Sequence, residues 1–356
     1  MLNVSCPDTS SADVVNVSCE PAVPPADWAS SMERQEISRI LSGLVLSVVI
    51  VAFSAPPAAV IWRTPSLHRV SYLYVMVLSL LDCLLGAFSL SMACAALLLG
   101  LLVGGIPCWL CVVLEAATNG CMNAVNVVML ALGRDRYLSL AHALSYPLLA
   151  TSADVRRHVK MAAAYGALHA AIFIGARVYY GCVNAVQKSC LPLNWLLMPE
   201  YRFVAAFTVS FNIFLDVGTI TYNGFVMYCA WKLRRKQVHP QCLDQEQGQP
   251  NQRSTTNAVR HHMRIFVFTF KLACLFLVCS LPYKLAIVLF CLGAHSSVNL
   301  IRVLALIRMM YFILDGWTFC SNRELLDAVK AMFKIKNSGE CLSDRSIVLT
   351  TNSGPG

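Results

Sequence analysis

Charged residues are scarce in this sequence of 356 residues: they make up 13% of the chain, whereas hydrophobic residues make up 57%. A typical soluble domain has about 25% charged residues. The mean hydropathy is +0.60, so the chain lacks the polar surface that a water-soluble fold requires. This scarcity excludes an ordinary soluble domain and indicates that most of the chain is surrounded by lipid.

Other patterns are absent as well. The N-terminus has no basic segment followed by a short apolar core, and it carries Asp8, Asp13, Glu20 and Asp27 instead. We therefore expect no cleavable signal peptide and a first span that acts as the signal anchor. The sequence shows no inverted repeat of the kind found in many transporters. We expect neither catalysis nor a bound cofactor.

Seven apolar runs are each about 20 residues or longer, which is the length that an α-helix needs to cross a bilayer. They extend from Ile37 to Trp62, Val70 to Leu99, Cys108 to Gly133, His158 to Tyr180, Phe203 to Trp231, Met263 to Leu292 and Leu300 to Cys320. Backbone amides in hydrocarbon must be satisfied within their own segment, and barrel strands are far shorter than these runs. We predict an all-α membrane protein with a seven-transmembrane helix bundle.

Basic residues between the runs predict the orientation of the chain. They are Arg63 and Arg69 after the first run, Arg156, Arg157 and Lys160 before the fourth, and Lys232, Arg234, Arg235 and Lys236 after the fifth. Because such residues concentrate in cytoplasmic loops, we expect an extracellular N-terminus in the plasma membrane. The sequons at Asn3 and Asn16 would then be glycosylated. The net charge of +9 indicates a surface that faces anionic lipid, not a nucleic-acid footprint.

Composition divides the chain into four predicted regions. They are a disordered extracellular segment (1–36), the helix bundle (37–320), an amphipathic surface helix (321–336) and a cytoplasmic tail (337–356). In the surface helix, one face would carry Leu325, Leu326, Val329, Met332 and Phe333. The polar stretch 241–257 is predicted to be a mobile cytoplasmic loop.

The triplet Asp135-Arg136-Tyr137 lies where the third apolar run ends, on its predicted cytoplasmic side. Outer cysteines occur in the third run and in the loop after the fourth, and a surface helix follows the seventh. In these features the chain resembles the rhodopsin-like (class A) G protein-coupled receptors, from about Ile37 to Met332. The resemblance implies a receptor that converts binding of an extracellular ligand into activation of a heterotrimeric G protein.

Family landmarks are kept at some positions and replaced at others. Those that match are Asp82 in "LSLLD", Phe276, Cys279 and Pro282 in "FLVCSLP", Tyr222 in the fifth span, and Asp315 in "DGWTF". Those replaced are the first-helix Asn by Pro57, the fourth-helix Trp by Tyr165, the fifth-helix Pro by Phe214, the sixth-helix toggle Trp by Ser280, and the seventh-helix Pro and Tyr by Gly316 and Phe319. Two alternatives therefore stay open, a non-signalling decoy derived from a receptor and a seven-span transporter.

In the family mechanism, Arg136 would pair with Asp135 at rest and meet the G protein when the sixth span moves outward, with Tyr222 supporting the open form. The alternative interpretation is that Arg134 and Arg136 are only interfacial anchors.

A polar core is expected where Asp82 and Asp315 face each other across the bundle. An intramembrane carboxylate is costly and usually functional, and this pair could hold a sodium ion or a proton. The third span has Val125 where the family commonly supplies a sodium-ligating Ser, with Asn123 and Asn126 nearby. The alternative is a network mediated by water. No other metal site is expected.

The ligand pocket is predicted from charges in the outer halves of the spans. Thr118 stands where amine receptors of the family have an Asp, which argues against an amine ligand. Glu115, Lys284, Arg302 and Arg308 lie in predicted spans, where ionisable groups face cavities and pair. Since cations outnumber the acid, one hypothesis is an anionic ligand held by Lys284 and Arg308. The alternative is that Glu115 pairs with Lys284 or Arg308 as a structural bridge.

Most of the 16 cysteines are expected to be small apolar fillers within helices. Outer cysteines that could form disulfides are Cys6, Cys19, Cys108, Cys111, Cys182 and Cys190. We prefer a bridge between Cys111 and Cys190, with Cys182 or Cys108 as alternates, because sequence alone does not determine connectivity.

Overall fold

The computed structural model describes residues 26–103, 106–142, 145–179, 186–187, 199–238, 251–293, 297–321 and 325–331. The helices are α1 Ala26–Arg63, α2 Val70–Val103, α3 Cys108–Ala141, α4 Tyr146–Leu149, α5 Ser152–Tyr179, α6 Pro199–Val238, α7 Asn251–Cys291 and α8 Val298–Ser321, followed by α9 at residues 325–331. Two short strands, β1 Ile106–Pro107 and β2 Val186–Gln187, pair antiparallel with Ile106 opposite Gln187. Of the described residues, 26–39 belong to one compact unit and those from Ile40 onward to a second.

Seven of the described helices are long, and they follow the seven apolar runs in order. Helices α1, α2, α3, α5, α6 and α7 are long and apolar enough to cross a membrane. The remaining long helix, α8, carries Arg302, Arg308 and Asp315 within its 24 residues. The all-helical class and the short helix after the seventh span are confirmed.

Several helix ends differ from the prediction. Helix α3 continues to Ala141, two turns beyond Gly133, and α7 begins at Asn251, inside the stretch 241–257 that we expected to be a loop. Helix α1 begins at Ala26, so the part of the expected disordered segment from 26 to 36 is helical. Hydropathy detects only the apolar part of a helix, whereas helix propagation adds one backbone hydrogen bond for each further residue.

Helix α3 is the centre of the bundle. About two thirds (67%) of the apolar 18-residue segment of α3 is buried inside the protein, whereas the corresponding segments of α5 and α6 are 22% buried. The main core cluster includes Leu78, Val125, Val128, Met129, Leu132, Leu272, Phe276, Tyr311 and Phe319. Beyond the bundle, Leu325 of α9 is 1% exposed, and Ala328 and Val329 pack against the same cluster.

The crossing of α3 and α5 depends on two glycines. A Cβ atom on Gly166 would lie 2.6 Å from the carbonyl oxygen of Gly120, and a Cβ on Gly120 would lie 2.9 Å from that of Gly166. Small residues let membrane helices approach closely, because association in lipid depends on direct packing. On the same α5, a Cβ on Gly175 would meet no neighbouring atom within 4 Å.

We predict opposite effects of the same substitution at these two positions of α5. Gly166→Ala should lower stability by about 1–3 kcal/mol because the added methyl group overpacks the crossing. Gly175→Ala should raise it by about 0.5–1 kcal/mol because alanine favours the helix. Thermal unfolding of the purified protein in detergent measures both. Equal effects at the two positions would contradict this account of the crossing.

Candidate functional site

Asp135 and Arg136 form a buried ion pair near the inner end of α3. Their side chains are each 4% exposed, and Arg136 Nε donates to Asp135 Oδ2 at 3.2 Å. The hydropathy pattern predicted that the helix ends at these charges. In the structure it continues past them to Ala141. The Arg136 guanidinium is therefore enclosed by protein and does not extend outward as the side chain of an interfacial anchor commonly does.

Two further side chains hold the Asp135 carboxylate. Ser71 of α2 donates to Oδ2 at 3.3 Å, and the Tyr146 hydroxyl of α4 donates to Oδ1 at 2.8 Å. Burial and the charge of Asp135 raise the pKa of Tyr146 to about 12. The hydroxyl therefore stays protonated near neutral pH and keeps its role as donor. Nothing in the sequence pattern marked Tyr146, because it lies in the short helix α4, outside the family motif.

Tyr137 joins α3 to α6 through aromatic contacts. Its ring centroid lies 6.1 Å from that of Tyr222 and 6.0 Å from that of Phe225. Gly133 permits this approach, since a Cβ there would lie 3.3 Å from Tyr222 Cβ. The structure thus places Tyr222 beside Tyr137 while Arg136 is closed onto Asp135.

The polar core brings Asp82 of α2 and Asp315 of α8 together. Both are 0% exposed and they interact electrostatically. Among the residues that the structure describes, none of the four carboxyl oxygens has a hydrogen-bond partner, and neither do the buried hydroxyls of Ser54 and Ser79. Buried polar atoms without partners are costly, so the oxygens of Asp82 and Asp315 fit a small cation, a proton or ordered water.

The two asparagines expected near this core point elsewhere. Asn123 Nδ2 donates to the Asn119 carbonyl at 2.8 Å, and Asn126 Nδ2 donates to Asn212 Oδ1 at 2.6 Å. In the described part of the chain, no three His, Cys, Asp or Glu side chains are grouped as a metal site would require. Any cation here would therefore depend on Asp82, Asp315 and hydroxyl oxygens.

The replaced seventh-helix landmarks have structural explanations. Helix α8 runs through Gly316 without a break, and a Cβ at Gly316 would lie 2.7 Å from Phe53 Cβ. Glycine therefore allows α8 to pack closely on α1. Phe319 is 0% exposed, with its ring 6.0 Å from that of Phe268 on α7, so a ring contact replaces the polar contact of a tyrosine.

Lys284 of α7 forms an ion pair that the sequence analysis did not anticipate. Its Nζ donates to Asp216 of α6 at 2.7 and 2.9 Å, and to Asn126 Oδ1 at 3.0 Å. Asp216 is an intramembrane carboxylate, and it neutralises one of the two cations that were expected to hold an anionic ligand. Asp216 is therefore the ion-pair partner of Lys284 that the sequence did not reveal.

The contacts around this ion pair connect four helices. Asn212 of α6 accepts from Asn126 of α3 and, at 3.0 Å, from the Tyr165 hydroxyl of α5. Lys284 Nζ also lies 5.2 Å above the ring centre of Phe276. Tyr165, which replaces the fourth-helix Trp, is thus one donor in a network that includes α3, α5, α6 and α7.

Glu115 and Thr118 have other partners than those expected. Glu115 accepts from Arg177 of α5 at 3.1 Å, so the structural bridge to Lys284 or Arg308 is wrong. The Thr118 hydroxyl donates to the Leu114 carbonyl of its own helix at 2.8 Å. The Arg308 guanidinium lies 5.1 Å above the ring centre of Tyr283. Arg308 is in none of the three ion pairs found among the described residues.

Comparison with known families agrees with this geometry. The family model described as "7 transmembrane receptor (rhodopsin family)" matches residues 58–319. The chain belongs to this family. A search of the curated proteins found no match. Membership makes the chain a multi-pass membrane receptor of the signalling class whose partners are in general an extracellular ligand and a G protein.

The remaining expected sites are described only in part. In the receptor, Cys111 is disulfide-bonded, and its expected partners Cys182 and Cys190 lie outside the described residues, as do the sequons at Asn3 and Asn16. Of Cys108 only the backbone is described. Pro282 lies within α7, which continues past it to Cys291.

For the polar core, we predict that Asp82→Asn raises the stability of the purified receptor in sodium-free buffer by about 1 kcal/mol or more. The amide supplies a donor to Asp315, where the carboxyl oxygens now have no partner among the described residues. Thermal unfolding in detergent measures the change. Asp154→Asn is the matched control, since the Asp154 carboxylate accepts from Thr151 N at 3.0 Å and from Thr151 Oγ1 at 2.8 Å. This variant should lower the stability of the receptor. A lower unfolding temperature for Asp82→Asn would overturn this interpretation.

Proposed function

We propose that this chain is a plasma-membrane receptor with an extracellular N-terminus, and that it activates a heterotrimeric G protein through Arg136. The observation that supports this most is the buried Asp135–Arg136 pair at the inner end of α3. It is held by Ser71 of α2 and Tyr146 of α4.

The mechanism that follows is a shift between two packings of the bundle. In the resting packing, Asp135 neutralises Arg136 and the aromatic contact of Tyr137 with Tyr222 joins α3 to α6. A ligand that binds the other packing better increases its population. In that packing α7 moves outward, Arg136 leaves Asp135 for the C-terminal helix of the G protein, and Tyr222 supports the opened form.

The distribution of exposed charge supports the proposed orientation. Arg63, Arg156, Arg157 and Lys160 are all exposed, at the end of α1 and the start of α5, where cytoplasmic residues are expected. With this orientation the Cys111 disulfide is extracellular. We propose Cys190 as its partner, with Cys182 and Cys108 as alternates, and glycosylation at Asn3 and Asn16.

Two ligands are proposed for the bundle. The first is a sodium ion at Asp82 and Asp315, supported by their buried oxygens without partners among the described residues. The second is an anionic extracellular ligand. Since Lys284 is neutralised by Asp216 and Glu115 is paired with Arg177, Arg308 supplies the positive charge, and Lys284 and Thr118 contribute only to the pocket wall.

For coupling, we predict that Arg136→Ala lowers ligand-independent G protein activation about tenfold or more. Tyr146→Phe removes one hydrogen bond to Asp135 and should raise the basal signal. The loss caused by Arg136→Ala can then be measured from this higher signal. G protein biosensors in cells with matched surface expression provide the readout. Arg134→Ala is the matched control: Arg134 is exposed, one position from Asp135, and contacts His158 Nε2 at 3.1 Å.

If Arg134→Ala lowers the signal as much as Arg136→Ala, the two arginines act only as interfacial anchors. If no variant differs from wild type in any biosensor, the receptor does not couple, and the decoy function would replace this proposal.

For the ligand, we predict that agonists found by screening the wild-type receptor carry a negative charge and lose at least about tenfold in potency on Arg308→Gln, as expected when a charged partner of a buried group is removed. Arg302→Gln is the control on the same helix, since Arg302 contacts Asn299 at 3.5 Å in an exposed position. A neutral agonist with equal potency on both variants would contradict the proposal.

A further inference from the structure

Asn126, Asp216 and Lys284 form a compact group that we call the core charge cluster. Its members come from α3, α6 and α7, the helices whose relative position changes in the proposed mechanism. Lys284 and Asp216 have side chains only 2% and 1% exposed, and Asn126 is 1% exposed. The cluster therefore lies inside the bundle, away from both lipid and water.

The hydrogen bonds of the cluster are complete. An ammonium group has three N–H donors, and Lys284 Nζ has three acceptors within 3.0 Å: both carboxylate oxygens of Asp216 and Oδ1 of Asn126. The bond that Asn126 donates to Asn212 fixes the orientation of its amide. Every donor of the lysine is used, so a displacement of α7 must break at least one charged hydrogen bond.

The cluster occupies the level at which the family toggle is missing. Ser280, in place of the toggle Trp, is 1% exposed, and its hydroxyl has no partner among the described residues. Lys284 lies one turn further along α7 and places its Nζ over the ring of Phe276, one turn on the other side of Ser280. The Phe276 ring is thus in contact with the charged end of Lys284 on its own helix.

Packed side chains connect the cluster to the polar core. The Phe276 ring meets that of Tyr311 of α8 edge-on at 5.2 Å. The Tyr311 hydroxyl lies 4.0 Å from Met129 Sδ, three residues beyond Asn126 on α3, and interacts electrostatically with Asp315. A change in the cluster can therefore reach the polar core through two contacts of the Phe276 ring, one with Lys284 and one with Tyr311.

We propose that the ion pair of Asp216 and Lys284, completed by Asn126, is the internal lock of the resting receptor, and that it opens together with the release of Arg136. Separating the two charges leaves each one buried without its partner, which is strongly unfavourable. Partial separation of the two charges is also unfavourable, so the cluster favours two discrete states. In this structure both contacts are closed. The proposal rests on the coupling proposed above for its signalling readout only.

The test uses five variants of the full chain. Asp216→Asn and Lys284→Met each remove one charge. The exchange Asp216→Lys with Lys284→Asp restores the pair in reverse. Thr221→Val is the control, because it removes a neutral hydrogen bond of α6 outside this network, from the exposed Thr221 hydroxyl to the Val217 carbonyl. A fifth variant, Asp216→Leu with Lys284→Met, removes both buried charges and therefore folds even if the single variants do not.

Two readouts are measured at matched surface expression. The first is the distance between fluorophores on noncanonical amino acids at Ala141, the last residue of α3, and at Val267, where the membrane-spanning part of α7 (Phe266–Cys291) begins. Both residues are exposed, and the receptor is purified into nanodiscs. The second is the ligand-independent signal of the G protein biosensors. The first readout needs no G protein, so it tests the lock separately from coupling.

We expect each single-charge variant to increase the open population and to raise the basal signal about fivefold or more. The charge exchange should return both values towards wild type, and Thr221→Val should leave both unchanged. An increased distance without any biosensor response supports the lock and overturns the coupling proposal. If the single variants do not fold, the apolar double variant decides the matter: an open inner end supports the lock.

A wild-type distance in well-folded single variants, or in the apolar double variant, would overturn the lock. The cluster would then only hold the helices together.

Discussion

In hydrocarbon a polar side chain has to find its partner within the protein, and this constraint determines how the bundle is held together. The Glu115–Arg177 pair joins α3 to α5, the Asp216–Lys284 pair joins α6 to α7, and the Asp135–Arg136 pair closes the inner end of α3. Apolar packing in lipid has little preference among helices of similar composition. The first two pairs therefore favour one relative position of the helices that they join.

The same constraint makes these contacts suitable for signalling. A buried ion pair contributes little net stability when formed, but it is costly to break on one side. Movement of a helix is consequently resisted until a new arrangement satisfies both charges. The polar core at Asp82 and Asp315 is the one group of buried acids, among the described residues, whose oxygens have no protein partner. It is thus the place where a small ion or proton can influence the balance between packings.

Sequence alone predicted the part of the architecture that depends on local properties. The apolar runs predicted the spans because their length matches the bilayer, and Arg136 was expected to pair with Asp135 because the two are adjacent. Lys284 was not matched with Asp216, since they are 68 residues apart and sequence spacing does not show which helix faces meet. The predicted helix ends were wrong because hydropathy does not record backbone hydrogen bonding, and α3 continues past Gly133 to Ala141.

The central claim is that the inner ion pair and the core charge cluster are closed in one state of the receptor and open in the other. The most direct measurement is a cryo-EM structure of the receptor in a nucleotide-free complex with its G protein. The account predicts Arg136 detached from Asp135, and Lys284 Nζ beyond ion-pair distance from the Asp216 carboxylate. A complex in which Arg136 is released while Lys284 still contacts Asp216 and Asn126 would show that the cluster is a fixed part of the scaffold, and would contradict the claim.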